Sequence, residues 1–347
     1  PPHSKNMKLK PIISNQTLIN PLSLADLKTR SISFFGQGEF ALTDNLFVTL
    51  GGRYTKDKKE IAFLVTDPAS GLPDFFMDKA TRPDLAKKTF NLYSARAEIN
   101  WRPTSRMTVY ASYNRGTKGG GFGLPGFLPV RAETIPFKAE VLHSYEFGQK
   151  WTSDDGRIRL NTSFFYYNYK DYQGFSFQDL IGSILNQDAV VKGVEAEISL
   201  RPTKGLTFDV TAAGLDTRVK DVQLPGGRIV DRDLPLSPSF SGTASARYEF
   251  AVLGDHVGAI QMNVTHSGAS SLTLLGAETE QEGAYTFGDL RVSLGSGDES
   301  WEASVFVKNL WNERYRVFAF DESSLGTIAQ AYNRPRTIGV TFRHRLF

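Results

Sequence analysis

Apolar side chains fall on every second position along most of this chain. In 93–101, Tyr93, Ala95, Ala97, Ile99 and Trp101 share one parity, and Ser94, Arg96, Glu98 and Asn100 share the other. In 158–167, Ile158, Leu160, Thr162, Phe164 and Tyr166 oppose Arg159, Asn161, Ser163, Phe165 and Tyr167. Val194, Ala196, Ile198 and Leu200 likewise oppose Glu195, Glu197 and Ser199. Successive residues of a strand point to opposite faces, so each such segment has one apolar wall and one polar wall. The pattern predicts thirteen strands, near 29–41, 46–66, 88–101, 107–114, 140–152, 157–176, 189–200, 206–216, 241–250, 257–267, 284–294, 301–311 and 336–347. No helix is predicted.

The connections alternate in length. Short ones at 43–45, 102–105, 153–156, 201–205, 252–256 and 295–300 carry the Gly, Pro, Asp and Asn that tight turns need. Between them lie long connections rich in Gly, Pro, Asp and aromatics. A soluble sandwich has no reason to keep its long loops at one end. A membrane barrel does, with short turns on the periplasmic side and long loops outside. Alternation alone does not separate the two, because a sandwich turns its apolar face inward and a barrel turns it toward lipid. Three features favour lipid. The polar face carries neighbouring charges at Arg96/Glu98, Glu195/Glu197, Arg247/Glu249 and Asp289/Arg291. Aromatics gather at strand ends, at Tyr54, Trp101, Tyr113, Trp151, Tyr248, Phe250 and Trp301, where girdles meet headgroups. The apolar face also uses many Ala and Gly, which would leave a dense core underfilled.

Composition narrows the chemistry. Aromatic content is 12%, with 25 Phe and 13 Tyr, as such girdles require. A net charge of +3 without a dense basic stripe gives no case for nucleic acid. With no cysteine, disulfides, zinc thiolates and cysteine catalysis are excluded. His3, His143, His256, His266 and His344 form no ligand-spaced set, and no cofactor is implied. No apolar run is long enough for a transmembrane helix. The chain starts at Pro1 with no signal peptide, so a removed leader or a piece of a longer protein is expected.

Several stretches resemble the TonB-dependent outer-membrane receptors, especially their siderophore-receptor branch. Phe47–Glu60, "FVTLGGRYTKDKKE", resembles that family's "GxRYTxDKK" strand. Val109–Phe122, "VYASYNRGTKGGGF", is similar to "YxSYSxGFKPGGF". Phe137–Trp151 resembles "FxPExxxSYExGxK", with Ala139 where Pro is usual, and Val305–Phe318 resembles "xxVxNLxDxxY". The last stretch, with Ile338, Val340, Phe342 and Leu346 on one parity, resembles the closing strand read by the barrel-assembly machinery. His344 stands where an aromatic is usual, and Phe347 lies one residue beyond.

The resemblance implies an all-β, transmembrane antiparallel β-barrel in the outer membrane of a Gram-negative bacterium. The family barrel has 22 strands around an N-terminal plug. Thirteen strands counted back from the last make the first one strand ten. It runs toward the periplasm, as its short turn requires. The expected organisation is therefore an extracellular-loop remnant at 1–24 and a partial barrel at 25–347, with the plug outside the chain. The implied function is import of a scarce ligand, most often a ferric siderophore, driven by the TonB energy-coupling complex through the plug. Outer-membrane lipid is the surrounding partner, and no covalent chemistry is implied.

Candidate ligand contacts lie in the long connections. Arg115 and Lys118 offer cations to an anionic chelate, and Phe122 and Phe127 offer stacking faces. A glycine-rich surface loop with solvated charges accounts for the same composition more simply. Tyr169 and Tyr172 stand near the outer rim beside Tyr167, as binding groups or as girdle and wall. Rival readings are a passive porin, a barrel enzyme, a soluble β protein, and a receptor for cobalamin, haem, sugar or another chelate. His143 and Ser144 are neighbours, so they face opposite walls and make no catalytic pair.

Overall fold

In the computed structural model, residues 7–8, 22–67, 70–124, 131–178, 181–224, 226–322 and 326–345 are described. Thirteen strands of eight to 21 residues form one antiparallel sheet whose spatial order is the chain order. They are β1 (Ser23–Thr43), β2 (Leu46–Thr66), β3 (Lys87–Thr104), β4 (Met107–Lys118), β5 (Glu140–Thr152), β6 (Ile158–Gln178) and β7 (Ile181–Leu200). The set continues with β8 (Leu206–Gln223), β9 (Phe240–Val252), β10 (His256–Ser267), β11 (Tyr285–Ser296), β12 (Trp301–Lys308) and β13 (Thr337–His344). Short connections sit at one end of the sheet, and the other end carries the long connections together with the extended β6–β7 pair. The helices among the described residues are single turns within the long connections, at Pro83–Ala86, Ala132–Thr134 and Glu278–Glu280.

The apolar parity makes unbroken rows across the sheet. Phe40, Val48, Ile99, Ala111, Phe147, Phe164 and Val194 lie opposite one another in turn from β1 to β7. Leu206, Tyr248, Ile260, Val292, Val305 and Val340 do the same from β8 to β13. None of these residues is buried, and Val340 is 77% exposed. Among the described residues no second sheet covers them, which counts against the sandwich reading. Tyr93 and Trp101, both exposed, bracket the apolar stretch of β3. Eight residues at about 3.4 Å each give about 27 Å, close to the apolar band of about 25 Å that a bilayer demands.

The polar parity faces a concavity. One cavity of about 830 Å³ is bordered by Tyr110 on β4, Glu146 on β5, Glu195 on β7, Thr243 on β9 and Thr265 on β10. With Asn161 on β6 and Thr211 on β8, the lining spans seven neighbouring strands, which would extend about 29 Å if laid flat. A single cavity reaches both margins only because the sheet curves around its polar face.

Several boundaries differ from expectation: β4 runs to Lys118 and β8 to Gln223, past 114 and 216, and three further differences have a local cause. The first strand begins at Ser23, before the expected start near 29 and two residues before the proposed domain limit at 25. Strand β12 ends at Lys308, not at 311, because Asn309 takes a left-handed φ of 52°. Its buried amide donates to Glu313 O and Arg334 O and accepts from Glu313 N, which turns the chain. The third of these is the largest. Residues 177–178 and 181–188, expected as part of an irregular loop, extend β6 and β7 into a long ribbon. A bulge between Tyr169 and Tyr172, with Asp171 at φ 52°, bends it where β5 stops pairing. The terminal Leu346 and Phe347 lie outside the described residues.

Candidate functional site

Among the described residues two apolar cores form, and both sit above the polar face at the end with the long connections. In the first, Ile61, Phe63 and Val65 of β2 pack with Met77, Ala86, Ala132 and Ile135 from the connections after β2 and β4. These three β2 residues share the polar-face parity. The strand changes from charged to apolar there because it leaves the trough and meets folded loops. The second core gathers Ala189 of β7, Val219 and Val222 of β8, Leu224 and Leu274.

The candidate residues divide between these places. Phe122 pairs in a two-residue ribbon with Pro136 and packs against the first core. Tyr169 and Tyr172 pack against the second, their rings 5.7 Å apart and edge to face. Burial pushes both phenols up, with the nearby Glu140 charge adding to it. Lys118 ends β4 on the trough side, exposed and opposite Glu140. Arg115 has the parity of Tyr113 and lies opposite His143, so it faces outward, and its guanidinium donates to Tyr93 O. Phe127 lies outside the described residues.

Contact between the two loop systems is made by residues the sequence reading passed over. Gln173 Nε2 donates to Gly119 O at 3.1 Å and to Lys138 O at 3.0 Å. Asn186 accepts from Lys138 N at 2.9 Å and donates to Asp171 O at 2.9 Å. The β6–β7 ribbon is thereby latched over the glycine-rich connection after β4. The glycines serve this closeness. A Cβ on Gly120 would come within 2.4 Å of the Phe90 ring and 2.5 Å of Phe137 O.

None of the five candidates among the described residues borders the cavities of about 830, 1020 and 600 Å³. A cavity of about 1020 Å³ opens beside the second core, bordered by Thr217, Arg232, Ser271, Leu274 and Glu278. Arg232 Nε is buried there without a hydrogen-bond partner among the described residues. The sequence signal for it was slight: one cation between two acids, Asp231 and Asp233, in a long connection.

A family model described as "TonB dependent receptor-like, beta-barrel" matches residues 7–310. The pesticin receptor of Yersinia pestis is 25% identical over 309 residues, covering 88% of this chain and 42% of that protein. Among solved structures, the ferric yersiniabactin uptake receptor FyuA from Yersinia pestis superposes with a TM-score of 0.77 at 22% identity. The overlap covers 94% of this chain and 47% of that one. The siderophore receptor PiuA from Acinetobacter baumannii gives a TM-score of 0.69 at 17% identity, covering 92% and 43%. The chain therefore spans less than half the length of these relatives.

Proposed function

Since the chain belongs to the TonB-dependent receptor β-barrel family, we propose that it forms the C-terminal part of an outer-membrane importer of a ferric siderophore. The observation that carries this reading is the division of the sheet. One face offers uncovered apolar rows between aromatic girdles, and the other is a polar trough roofed at one end by folded loops. Lipid suits the first face. The second suits a water-filled passage with a plug, which tolerates Arg247 bound to Glu249 at 2.7 Å and Arg291 to Glu302 at 2.5 Å.

In this reading the long connections face the outside of a Gram-negative cell and the short turns face the periplasm. The ligand enters from the loop side, and TonB acts through a plug supplied by the whole receptor. The protein binds and moves its ligand without covalent chemistry. The relatives' names support an iron chelate as cargo, since FyuA is a ferric yersiniabactin uptake receptor and PiuA a siderophore receptor. Arg232 supports an anionic cargo, because it borders a cavity among the long connections.

The test is uptake of radiolabelled iron by cells that carry the whole receptor as their sole importer of this class. Supplying different ferric chelates should restore growth under iron starvation for one of them, and only while TonB is intact. Growth restored equally without TonB would favour a passive porin. No response to any ferric chelate, with a response to cobalamin, haem or a sugar, would replace the cargo.

A further inference from the structure

At the loop end of the wall, between β12 and β13, the chain forms a hairpin of two strands, Arg316–Glu322 and Thr327–Tyr332. Among the described residues it joins no other sheet. Its first strand is held against the connection that precedes β11. Asp321 N donates to Glu280 Oε1 at 3.2 Å, and Thr279 Oγ1 donates to Asp321 Oδ2 at 2.5 Å. Arg316 donates from Nε to Glu282 Oε2 at 2.6 Å and from Nη1 to Thr279 O at 2.7 Å. Glu280 is buried, so this anchor belongs to the folded loops. The second strand has no such cover, and every one of its residues is exposed.

The pairing fixes which backbone groups are left over. Asp321 lies opposite Ile328, and its N–H points away to Glu280. In an antiparallel ladder such a pair exchanges no hydrogen bonds, so the N–H and C=O of Ile328 also point away from the neighbouring strand. At the base of the hairpin Asn333 N donates to Tyr315 O at 3.0 Å, which sets the same alternation. Ile328, Gln330 and Tyr332 therefore each turn one N–H and one C=O to the outer edge. Natural edges are guarded by charge, by proline or by a bulge. The sequence TIAQAY carries no charge and no proline, and its register is unbroken from Thr327 to Ala331. Such an edge is a template for another strand.

Position identifies the partner. The anchored strand faces the connection before β11, so the outer edge faces the opposite way, toward β13 and the open margin of the wall. The rest of the receptor has to arrive at that margin, since this chain covers only 42% and 47% of its relatives. The chemistry of the partner follows from the face that Ala329 and Ala331 share with Phe318 and Phe320. The two rings stack with centroids 6.1 Å apart, and Phe318 is 51% exposed. Two small residues beside an exposed ring leave room for a bulky apolar side chain.

We propose that the outer edge of Thr327–Tyr332 is completed by an extended, uncharged segment from a long connection in the N-terminal part of the same receptor. The proposal rests on the outer-membrane reading above. The segment adds a third strand to the hairpin and seats an apolar side chain over Ala329 or Ala331, beside Phe318. It thereby clasps, from outside, the seam at which β13 meets the remainder of the barrel.

The experiment uses the whole receptor in detergent, with hydrogen exchange read at single amides by mass spectrometry. The amides of Ile328 and Gln330 should exchange about thirtyfold more slowly than in an unstructured peptide of the same sequence, as two added hydrogen bonds of ordinary strength give. Gln330→Pro sharpens the test, because proline is tolerated where a strand's N–H faces solvent and not where it completes a ladder. It should abolish the slowing at Ile328 while Ala329 and Ala331, bonded within the hairpin, stay slow. Fast exchange at Ile328 and Gln330 in the parent would show an open edge and overturn the proposal. A benzophenone amino acid at Ile328 then identifies the partner by photo-cross-linking. A cross-link within one molecule, to a segment that precedes this chain in the receptor, is expected. A cross-link between two receptors would replace the partner by a second copy and overturn the assignment. A receptor that leaves the membrane in an alkaline wash would instead overturn the outer-membrane reading itself.

Discussion

At the scale of single residues, glycine does two different jobs in this sheet. Tyr110 lies directly across from Gly148, Phe165 from Gly193 and Phe306 from Gly339, all on the trough face. Each ring covers backbone that has no side chain of its own, a recurrent way of strengthening sheets at glycine. A Cβ on Gly148 would meet only the far end of the Tyr110 ring, at 2.6 Å, and that ring can swing aside. Gly120 differs, since its Cβ would meet the Phe137 carbonyl at 2.5 Å, and backbone does not move so easily. Gly120→Ala should therefore cost about 1–3 kcal/mol, in the range of overpacking, with Gly148→Ala costing less. Urea denaturation followed by gel mobility measures both, and equal losses would contradict this account. The two tyrosines of the second core give a pH test. Burial raises their phenol pKa values in the fold, so neutral Tyr169 and Tyr172 support the core fully below the ordinary value of about 10. That support is lost as pH rises through their higher folded values. Tyrosinate absorbance of the parent minus that of Tyr172→Phe should show the missing phenol titrating above pH 10, by the same reference. A midpoint at or below it would mean that the ring is not buried.

At the scale of elements, the thirteen strands were legible wherever one wall faces lipid, because lipid enforces strict alternation. Above the girdle that demand ends. In 181–188, Ile184 and Leu185 are adjacent and three polar residues follow, so the ribbon left no period to read. Its strand pairing comes from β6 and β7 continuing their register past the bulge, not from side-chain pattern. The surroundings of the candidate residues were hidden for a related reason. Phe122, Tyr169 and Tyr172 have the composition of a binding wall, but loop–loop contacts distant in sequence enlist them as core. Arg115 was assigned to a loop, yet β4 continues through it and parity turns it outward. The latch between ribbon and loop is testable. Gln173→Ala/Asn186→Ala removes five hydrogen bonds to Gly119, Lys138 and Asp171. At about 1 kcal/mol each, this should free the ribbon locally. Proteolysis of 172–188 on intact cells should quicken, while heat-modifiable mobility of the whole receptor stays the same. No change in cleavage would show that the second core alone holds the ribbon.

At the scale of the whole molecule, the decisive feature is the sheet's margins. Among the described residues β13 pairs only with β12, and β1 pairs with β2 and, at one corner, with Met7–Lys8. No pairing joins β13 to β1. Water satisfies an open margin cheaply, but hydrocarbon does not, and each unpaired backbone group there costs several kcal/mol. Thirteen antiparallel strands offer no remedy, because β1 and β13 run in the same direction and an all-antiparallel closure needs an even number. The wall is thus stable in lipid only with further strands on both margins, which the length of the relatives makes available. Refolded alone into lipid vesicles, this chain should show no heat-modifiable band and should be digested throughout. Covalently preceded by the remainder of its receptor, the same 347 residues should become resistant to protease within the membrane. A resistant, heat-modifiable product from the chain alone would require the margins to find partners in a second copy. Cross-linking from β13 to β1 of another chain would reveal that arrangement and overturn the dependence on further strands.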